Sequence, residues 1–316
     1  MPALLRLRVN GYGIVKRILV TGKNGQLGWE LERSLRPLGD VFALSRDQLD
    51  LMDLRQCRKR VRDTKPDVIV NAAAYTAVEQ AEDNAKEAER MNTLAPAVLA
   101  EEAKKIGALF IHYSTDYVFD GTKSSPYVES DATNPLNIYG RTKLEGEKAI
   151  EATGGAYLIF RTSWLYALRG KNFVLTMLRL FQEQSEVRVV DDQVGVPNWS
   201  RVIAEATAKA VVLVSQRTDD AAFGHGTGIY HLSGAGETSW FQFANEILDA
   251  ARGSKNAQAL AGSQAAKIVN ISSAEYPSRA KRPKYSVLNS ARLRESFGIV
   301  MPQWDEQLKR AFSEPA

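Results

Sequence analysis

Arg17-Ile-Leu-Val-Thr-Gly22-Lys-Asn-Gly25-Gln-Leu-Gly28 is the stretch that decides how this chain folds. Arg17–Thr21 is short, apolar and bounded by glycine, as a buried strand is. The amphipathic run Trp29–Leu38 that follows has the period of a helix. Between them Gly22, Gly25 and Gly28 are spaced G-x-x-G-x-x-G, not the G-x-G-x-x-G of the common dinucleotide fingerprint. Glycine there lets the backbone turn sharply and lets a pyrophosphate approach the positive end of a helix. A plain strand-to-helix turn is the bland alternative. The flanking strand and helix favour a nucleotide site.

The alternation continues outward. Val41–Leu44, Val68–Val70, Ala108–Ser114 and Tyr157–Thr162 read as further buried strands, with Leu54–Asp63, Ala85–Ile106 and Tyr139–Ala152 as helices among them. This βαβ rhythm predicts an α/β fold with a doubly wound parallel sheet of the Rossmann type over residues 17–165. Beyond residue 165 the rhythm loosens. Asn172–Glu183 and Arg201–Val214 look helical, Val187–Asp191, Ile229–Ser233 and Lys267–Ile271 look like strands, and glycines and prolines gather at 195–197, 224–228 and 277–283. A smaller C-terminal substrate lobe over residues 166–316 is expected, with some chain crossing back. Residues 1–16 read as a flexible extension.

A chain of 316 residues that is 44% hydrophobic and 25% charged suits a globular protein, which excludes disorder, collagen-like repeats and a disulfide scaffold. Cys57 is the only cysteine, so no internal disulfide forms, and a reducing, cytoplasmic location is expected. The net charge of +4 is spread along the chain, which argues against a nucleic-acid partner. No run of about 18 apolar residues marks a membrane span. His112, His225 and His231 show no metal-ligand or triad spacing.

The adenosine ribose of a dinucleotide is read about 20 residues beyond such a loop, at the end of the second strand. Ser45-Arg46 stands there. An acidic residue would hold the 2′-hydroxyl of NAD, whereas this guanidinium could take the 2′-phosphate of NADP. NADPH is therefore the expected cofactor, with NADH left open by the adjacent Asp47. Arg46 as a solvated loop charge is the competing reading. Asp53 and Leu54 could face the adenine. Ala72, Ala73 and Ala74 end the third strand with side chains small enough for the nicotinamide half to lie against the sheet, or for a tight helix contact.

Tyr139-Gly-Arg-Thr-Lys143 sets a phenol and an ammonium one turn apart on a helix face. A phenol is a poor acid at neutral pH, and a nearby cation lowers its pKa, so Lys143 would make Tyr139 a usable proton donor. Ser114-Thr115-Asp116 brings hydroxyls to the end of the fourth strand, where open α/β sheets bind ligands.

Together these segments resemble the extended, nucleotide-sugar branch of the short-chain dehydrogenase/reductase superfamily. Ser114-Thr-Asp-Tyr-Val-Phe-Asp-Gly121, Pro135-Leu-Asn-Ile-Tyr-Gly140 and Arg161-Thr-Ser-Trp164 are similar to the dTDP-4-dehydrorhamnose reductase family within it. So are Asn71-Ala-Ala-Ala-Tyr-Thr-Ala-Val78, Asp192-Gln-Val-Gly-Val-Pro197 and Arg282-Pro283, and the likeness runs from Arg17 to Phe312. The resemblance implies Thr115, Tyr139 and Lys143 as a catalytic trio. It implies dinucleotide contacts from Gly25, Gln26, Leu27, Ser45, Asp53, Leu54, Ala74, Tyr75, Thr76, Tyr113, Tyr139 and Lys143. Sugar-nucleotide contacts are implied from Thr115, Asp116, Tyr139 and Trp164. The implied reaction reduces the 4-keto group of dTDP-4-dehydro-6-deoxy-L-mannose to dTDP-L-rhamnose. An epimerase or dehydratase with tightly held NAD, and a non-catalytic regulatory subunit of the same fold, are the competing expectations. Some relatives are thought to hold Mg²⁺ with acidic residues at a subunit contact. Glu30 is kept here, but Arg201 stands where a second carboxylate is expected, Asp305 is shorter than glutamate, and no metal is assigned. Asn198 after Pro197 replaces a threonine common in the family. The oligomeric state is left open, a homodimer included.

Overall fold

In a computed structural model of the chain, residues 17–216, 227–253 and 267–314 are described. The expected extension at 1–16, His225 and residues 224–226 of the glycine segment lie outside them. Five strands alternate with helices as the pattern requires: β1 (Arg17–Thr21), β2 (Asp40–Leu44), β3 (Val68–Asn71), β4 (Leu109–Thr115) and β5 (Tyr157–Thr162). Between them run α1 (Gln26–Leu35), α2 (Leu54–Thr64), α3 (Val78–Ala81), α4 (Ala85–Glu89), α5 (Ala95–Lys105) and α6 (Ile138–Thr153).

The strands are buried on both faces, as a parallel sheet between helices must be. Alternate residues therefore feed two cores. Ile18 and Val20 of β1 join one with Leu27, Leu31 and Leu35 of α1, while Leu19 joins the other with Cys57 and Val61 of α2 and Leu99 of α5. Burial in that second core pushes the Cys57 thiol up to about 11. Polar caps start several helices: the Asp53 side chain accepts the N–H groups of Arg55 and Gln56, and Asn137 accepts that of Gly140.

Two boundaries differ from the sequence expectation in ways that matter. α1 begins at Gln26, directly behind its N-cap Gly25, so the glycine loop is the helix entry itself. The expected helix over 85–106 is interrupted by a π turn at Arg90–Leu94. Pro96 follows at the start of α5 and has no N–H to give the Asn92 carbonyl four residues back.

The remaining chain supplies β6 (Leu165–Tyr166), α7 (Phe173–Glu183), β7 (Glu186–Val190), β8 (Val194–Gly195), β9 (Asn198–Trp199) and α8 (Ser200–Ser215). Then come β10 (Gly228–His231), β11 (Thr238–Ser239), α9 (Trp240–Gly253), β12 (Lys267–Ile271), α10 (Ala291–Phe297) and α11 (Trp304–Ser313). β10 pairs in parallel with β5, giving a six-stranded sheet of order β10-β5-β4-β3-β1-β2. α8 lies along α1. The short strands pair as β11 with β8, β12 with β7 and β6 with β9. α9, α10 and α11 had no counterpart in the sequence reading. Among the described residues, no helix is long and apolar enough to cross a membrane.

Candidate active site

The chain leaves β1 for β2 on one side and returns to β3 on the other. That reversal opens a crevice at the carboxyl ends of β1 and β3, the place where such sheets take ligands. The glycine loop forms one wall. A Cβ on Gly28 would stand 2.1 Å from the Gly22 carbonyl oxygen, so only glycine lets α1 start this close to β1. No side chain caps α1, which leaves its first turn aimed at the crevice as an anion cradle. The Leu27 side chain is buried in the core, so only its main chain is left at the helix entry. Gln26 Oε1 accepts from Asn172 Nδ2 at 2.7 Å, tying this wall to the segment that starts α7.

Other predicted dinucleotide residues fall on neighbouring loops. The Ser45 N–H and hydroxyl both reach Gln48 Oε1, at 3.1 and 3.2 Å. Arg46 is exposed and only 3.8 Å from Asp50, which leaves its guanidinium free to swing. The Asp53 carboxylate is engaged in capping α2, whose first residue is Leu54. Beyond β3, the Ala73 N–H donates to Thr21 Oγ1 at 3.2 Å, and Ala74, Tyr75 and Thr76 continue the loop. Asn92, in the π turn, clamps that loop by accepting from the Tyr75 N–H at 2.8 Å and donating to the Tyr75 carbonyl at 3.1 Å. Thr76 is not a helix cap, since α3 is preceded by Ala77 with no side-chain cap.

Thr115 ends β4, and Tyr139 and Lys143 project from the first turns of α6. The Thr115 hydroxyl accepts the Tyr117 N–H at 3.1 Å and donates to Asp116 Oδ1 at 3.0 Å. Burial pushes the Tyr139 phenol up to about 12, moderated by a hydrogen bond to Thr115 and reinforced by the Asp116 charge. Its ring meets Tyr117 edge-on at 5.9 Å. Burial pulls the Lys143 ammonium down to about 7, against the opposing field of Glu147. Lys143 Nζ lies 2.6 Å from the Tyr113 carbonyl and 3.0 Å from His112 Nε2. The sequence expectation that Lys143 makes the phenol more acidic is therefore not met in this arrangement. The lysine faces β4, and burial governs the phenol.

Asp116 is buried, which raises its carboxyl to about 6 despite hydrogen bonds from Ser286 and Thr115, and its Oδ2 has no partner. Tyr113 turns its hydroxyl to Thr207 of α8 at 2.8 Å, so its carbonyl is the part that reaches Lys143. Trp164 is held at φ 43°, a strained backbone for an aromatic residue. Its ring stacks on Trp240 with centroids 3.4 Å apart, and a Cβ on Gly195 would come within 2.6 Å of it from another side.

Comparison with known proteins shows the family. The chain matches the RmlD substrate binding domain over residues 16–316. It is 51% identical over 288 residues to a dTDP-4-dehydrorhamnose reductase of Burkholderia thailandensis, covering 91% of this chain and 95% of that one. The Escherichia coli K12 enzyme of the same name is 42% identical, covering 94% and 97%. The chain belongs to the RmlD substrate binding domain family. A crystal structure of the Bacillus anthracis dTDP-4-dehydrorhamnose reductase in complex with NADP superposes with a TM-score of 0.85 at 34% identity, covering 95% of this chain and 99% of that one. UDP-glucose 4-epimerase of Thermus thermophilus, at 17% identity and a TM-score of 0.74, shares the fold.

Within this RmlD-family chain, the acidic positions connected above with Mg²⁺ do not fit a divalent ion. Glu30 receives the Arg201 guanidinium at 3.2 Å, and Arg201 also reaches Glu314 at 3.3 Å. Asp305 pairs with Lys309 at 2.8 Å, and among the described residues no three His, Cys, Asp or Glu side chains converge on a metal position. A fixed cation already neutralises Glu30.

Sequence reasoning missed Asn92, Trp240 and the partners of His112. It also placed Asn198 only as a departure. Asn198 is fully buried, donating to the Ser163 and Val196 carbonyls at 2.9 and 3.0 Å and accepting from the Gly234 N–H at 2.6 Å. A Pro-Asn pair inside an apolar stretch is the one signal that hinted at such a hub.

Proposed function

We propose that this chain reduces the 4-keto group of dTDP-4-dehydro-6-deoxy-L-mannose to dTDP-L-rhamnose with NADPH, NADH being the weaker substitute. The observation that carries the reading is the hydroxyl pair of Thr115 and Tyr139 at the carboxyl end of β4, with Lys143 one turn along α6. The family membership and the NADP bound to the Bacillus anthracis relative support it. A bound nicotinamide supplies the hydride. The protein supplies place and protons. The first turn of α1 receives the pyrophosphate, Ser45 and Arg46 the adenosine ribose, Asp53 and Leu54 the adenine, and the Ala73–Thr76 loop the nicotinamide half. Tyr139 keeps its proton until about pH 12, so at neutral pH it is loaded as a general acid for the alkoxide that forms at C4. Thr115 rotates its hydroxyl from Asp116 to the same oxygen and orients the ketone. Lys143 serves the nicotinamide ribose, while Asp116 and Trp164 border the sugar nucleotide.

The test is NADPH consumption with the 4-keto sugar nucleotide, with the product identified by NMR. Formation of dTDP-L-rhamnose is expected. A protein that purifies with stoichiometric NAD and consumes no NADPH would instead be acting as an epimerase or dehydratase.

A further inference from the structure

A chain of buried polar groups runs under the crevice from β1 to α6 and ends on Lys143. The Ala73 N–H donates to Thr21 Oγ1 at 3.2 Å, and Thr21 Oγ1 lies 2.6 Å from Asn71 Oδ1. That short separation is an O–H···O length, so the threonine hydroxyl donates and the amide oxygen accepts. The Asn71 amide then turns its NH₂ to His112 Nδ1, 3.1 Å away. Because Nδ1 accepts, the ring proton of a neutral His112 sits on Nε2, and Nε2 is 3.0 Å from Lys143 Nζ. Thr21, Asn71, His112 and Lys143 are each about 99% buried, so water does not relieve the contact.

An N–H aimed at a lysine nitrogen has one favourable arrangement: Nζ accepts it with a lone pair and donates its own N–H to the Tyr113 carbonyl at 2.6 Å. We propose that His112 is a positioning residue whose Nε2–H holds the Lys143 amine neutral and drawn toward β4 until it takes up a proton. The proposal rests on the reading of Lys143 given above. Uptake puts N–H groups on both sides of the contact, so the ammonium is released from His112 toward Tyr139, one turn away on the same helix face. The charged groups around Lys143 are few. Glu147 on α6 favours the ammonium, and Glu147 is itself paired with Arg161 of β5 at 2.7 Å. His112 is kept neutral by burial, and a charge on Lys143 after proton uptake pushes it the same way. Burial by itself also favours the neutral amine at Lys143.

The experiment titrates Lys143 itself, by NMR of protein carrying ¹³Cε-lysine, with the Lys143 signal assigned by its loss in Lys143→Arg. His112→Phe keeps the ring and removes the Nε2–H. The expected result is a Lys143 pKa raised by about one pH unit, the size of one net hydrogen bond on that scale. Asn71→Asp, which accepts from Nδ1–H and so reverses the tautomer, should raise it too, with its added charge contributing. An unchanged value in both variants overturns the proposal. A lowered value in His112→Phe overturns it as well, because Nε2 would then have been accepting from an ammonium. This titration needs no sugar substrate. A wild type that reduces the keto sugar while Lys143 fails to shift keeps the functional reading and sinks His112; a wild type without reductase activity does the reverse if the shift is seen.

Discussion

A phenol held up to about 12 and a lysine held down to about 7 stand one turn apart on α6, so at neutral pH the tyrosine carries its proton and the lysine is poised to exchange one. Tyr139→Phe keeps the ring against Tyr117 and removes only the transferable proton. Turnover should fall by about 10²–10⁴-fold with cofactor affinity nearly unchanged, measured as kcat beside NADPH binding. Wild-type turnover in a folded variant would end the assignment. Asp116 gives a pH signature. Its folded carboxyl titrates near 6 against an ordinary 3.8, so between those values the folded state binds more protons than the unfolded one. Stability therefore falls as pH rises through that window, by about 2–3 kcal/mol in all. Asp116→Asn keeps the shape, cannot titrate, and should abolish the fall in melts run from pH 4 to 7. An equal slope in both proteins would place the titration elsewhere. The Tyr139–Lys143 pair was legible in the sequence from residue type and helical spacing, whereas Thr115 came only through the family resemblance. The His112–Lys143 contact was not, because it depends on which face of β4 meets α6, and that is set by packing and register rather than by either residue alone.

Among the elements, the proposed function divides the dinucleotide between the loops after β1, β2 and β3. The loop after β2 lacks a carboxylate at Ser45 and offers Arg46, whose link to Asp50 at 3.8 Å is weak and exposed. NADPH should be preferred over NADH by about 1–2 kcal/mol, or roughly fivefold to thirtyfold in kcat/KM, the worth of one charge-assisted hydrogen bond at the surface. Arg46→Ala should weaken NADPH alone, and Ser45→Asp should turn the preference toward NADH. A ratio unmoved in both would show that the 2′-phosphate is read elsewhere. Most strands and helices of the first 165 residues could be read because they carry their own period, and α2 and α6 their own side-chain caps as well. α9 and α11 carry a helical period too, in Phe243, Ala244, Ile247, Leu248 and Ala251 and in Leu308, Ala311 and Phe312, which went unread. What the sequence does not show is the distant chain that covers these faces, as when Phe243 of α9 packs on Phe173 and Tyr166.

Across the molecule, the two lobes share one interior. A single hydrophobic cluster joins Ile18 of β1 and Leu31 of α1 to Val202 and Val211 of α8, Phe243 of α9, Phe297 of α10 and Phe312 of α11. Arg201 of α8 adds an ion pair to Glu30 of α1 in the same seam. Residues 17–165 alone would lose α8 from the face of α1 and β10 from the edge of β5, leaving Leu27, Leu31 and Leu35 without their cover and an open parallel edge. We expect the full chain to unfold in one cooperative transition and the 17–165 fragment to show none. Denaturation followed by far-ultraviolet circular dichroism and by tryptophan fluorescence distinguishes the cases, because the stacked Trp164 and Trp240 report the contact between residues 17–165 and the rest of the chain while dichroism reports every helix. Two separated transitions, or a fragment that melts cooperatively, would show that the lobes are independent units and that the shared cluster adds little to either.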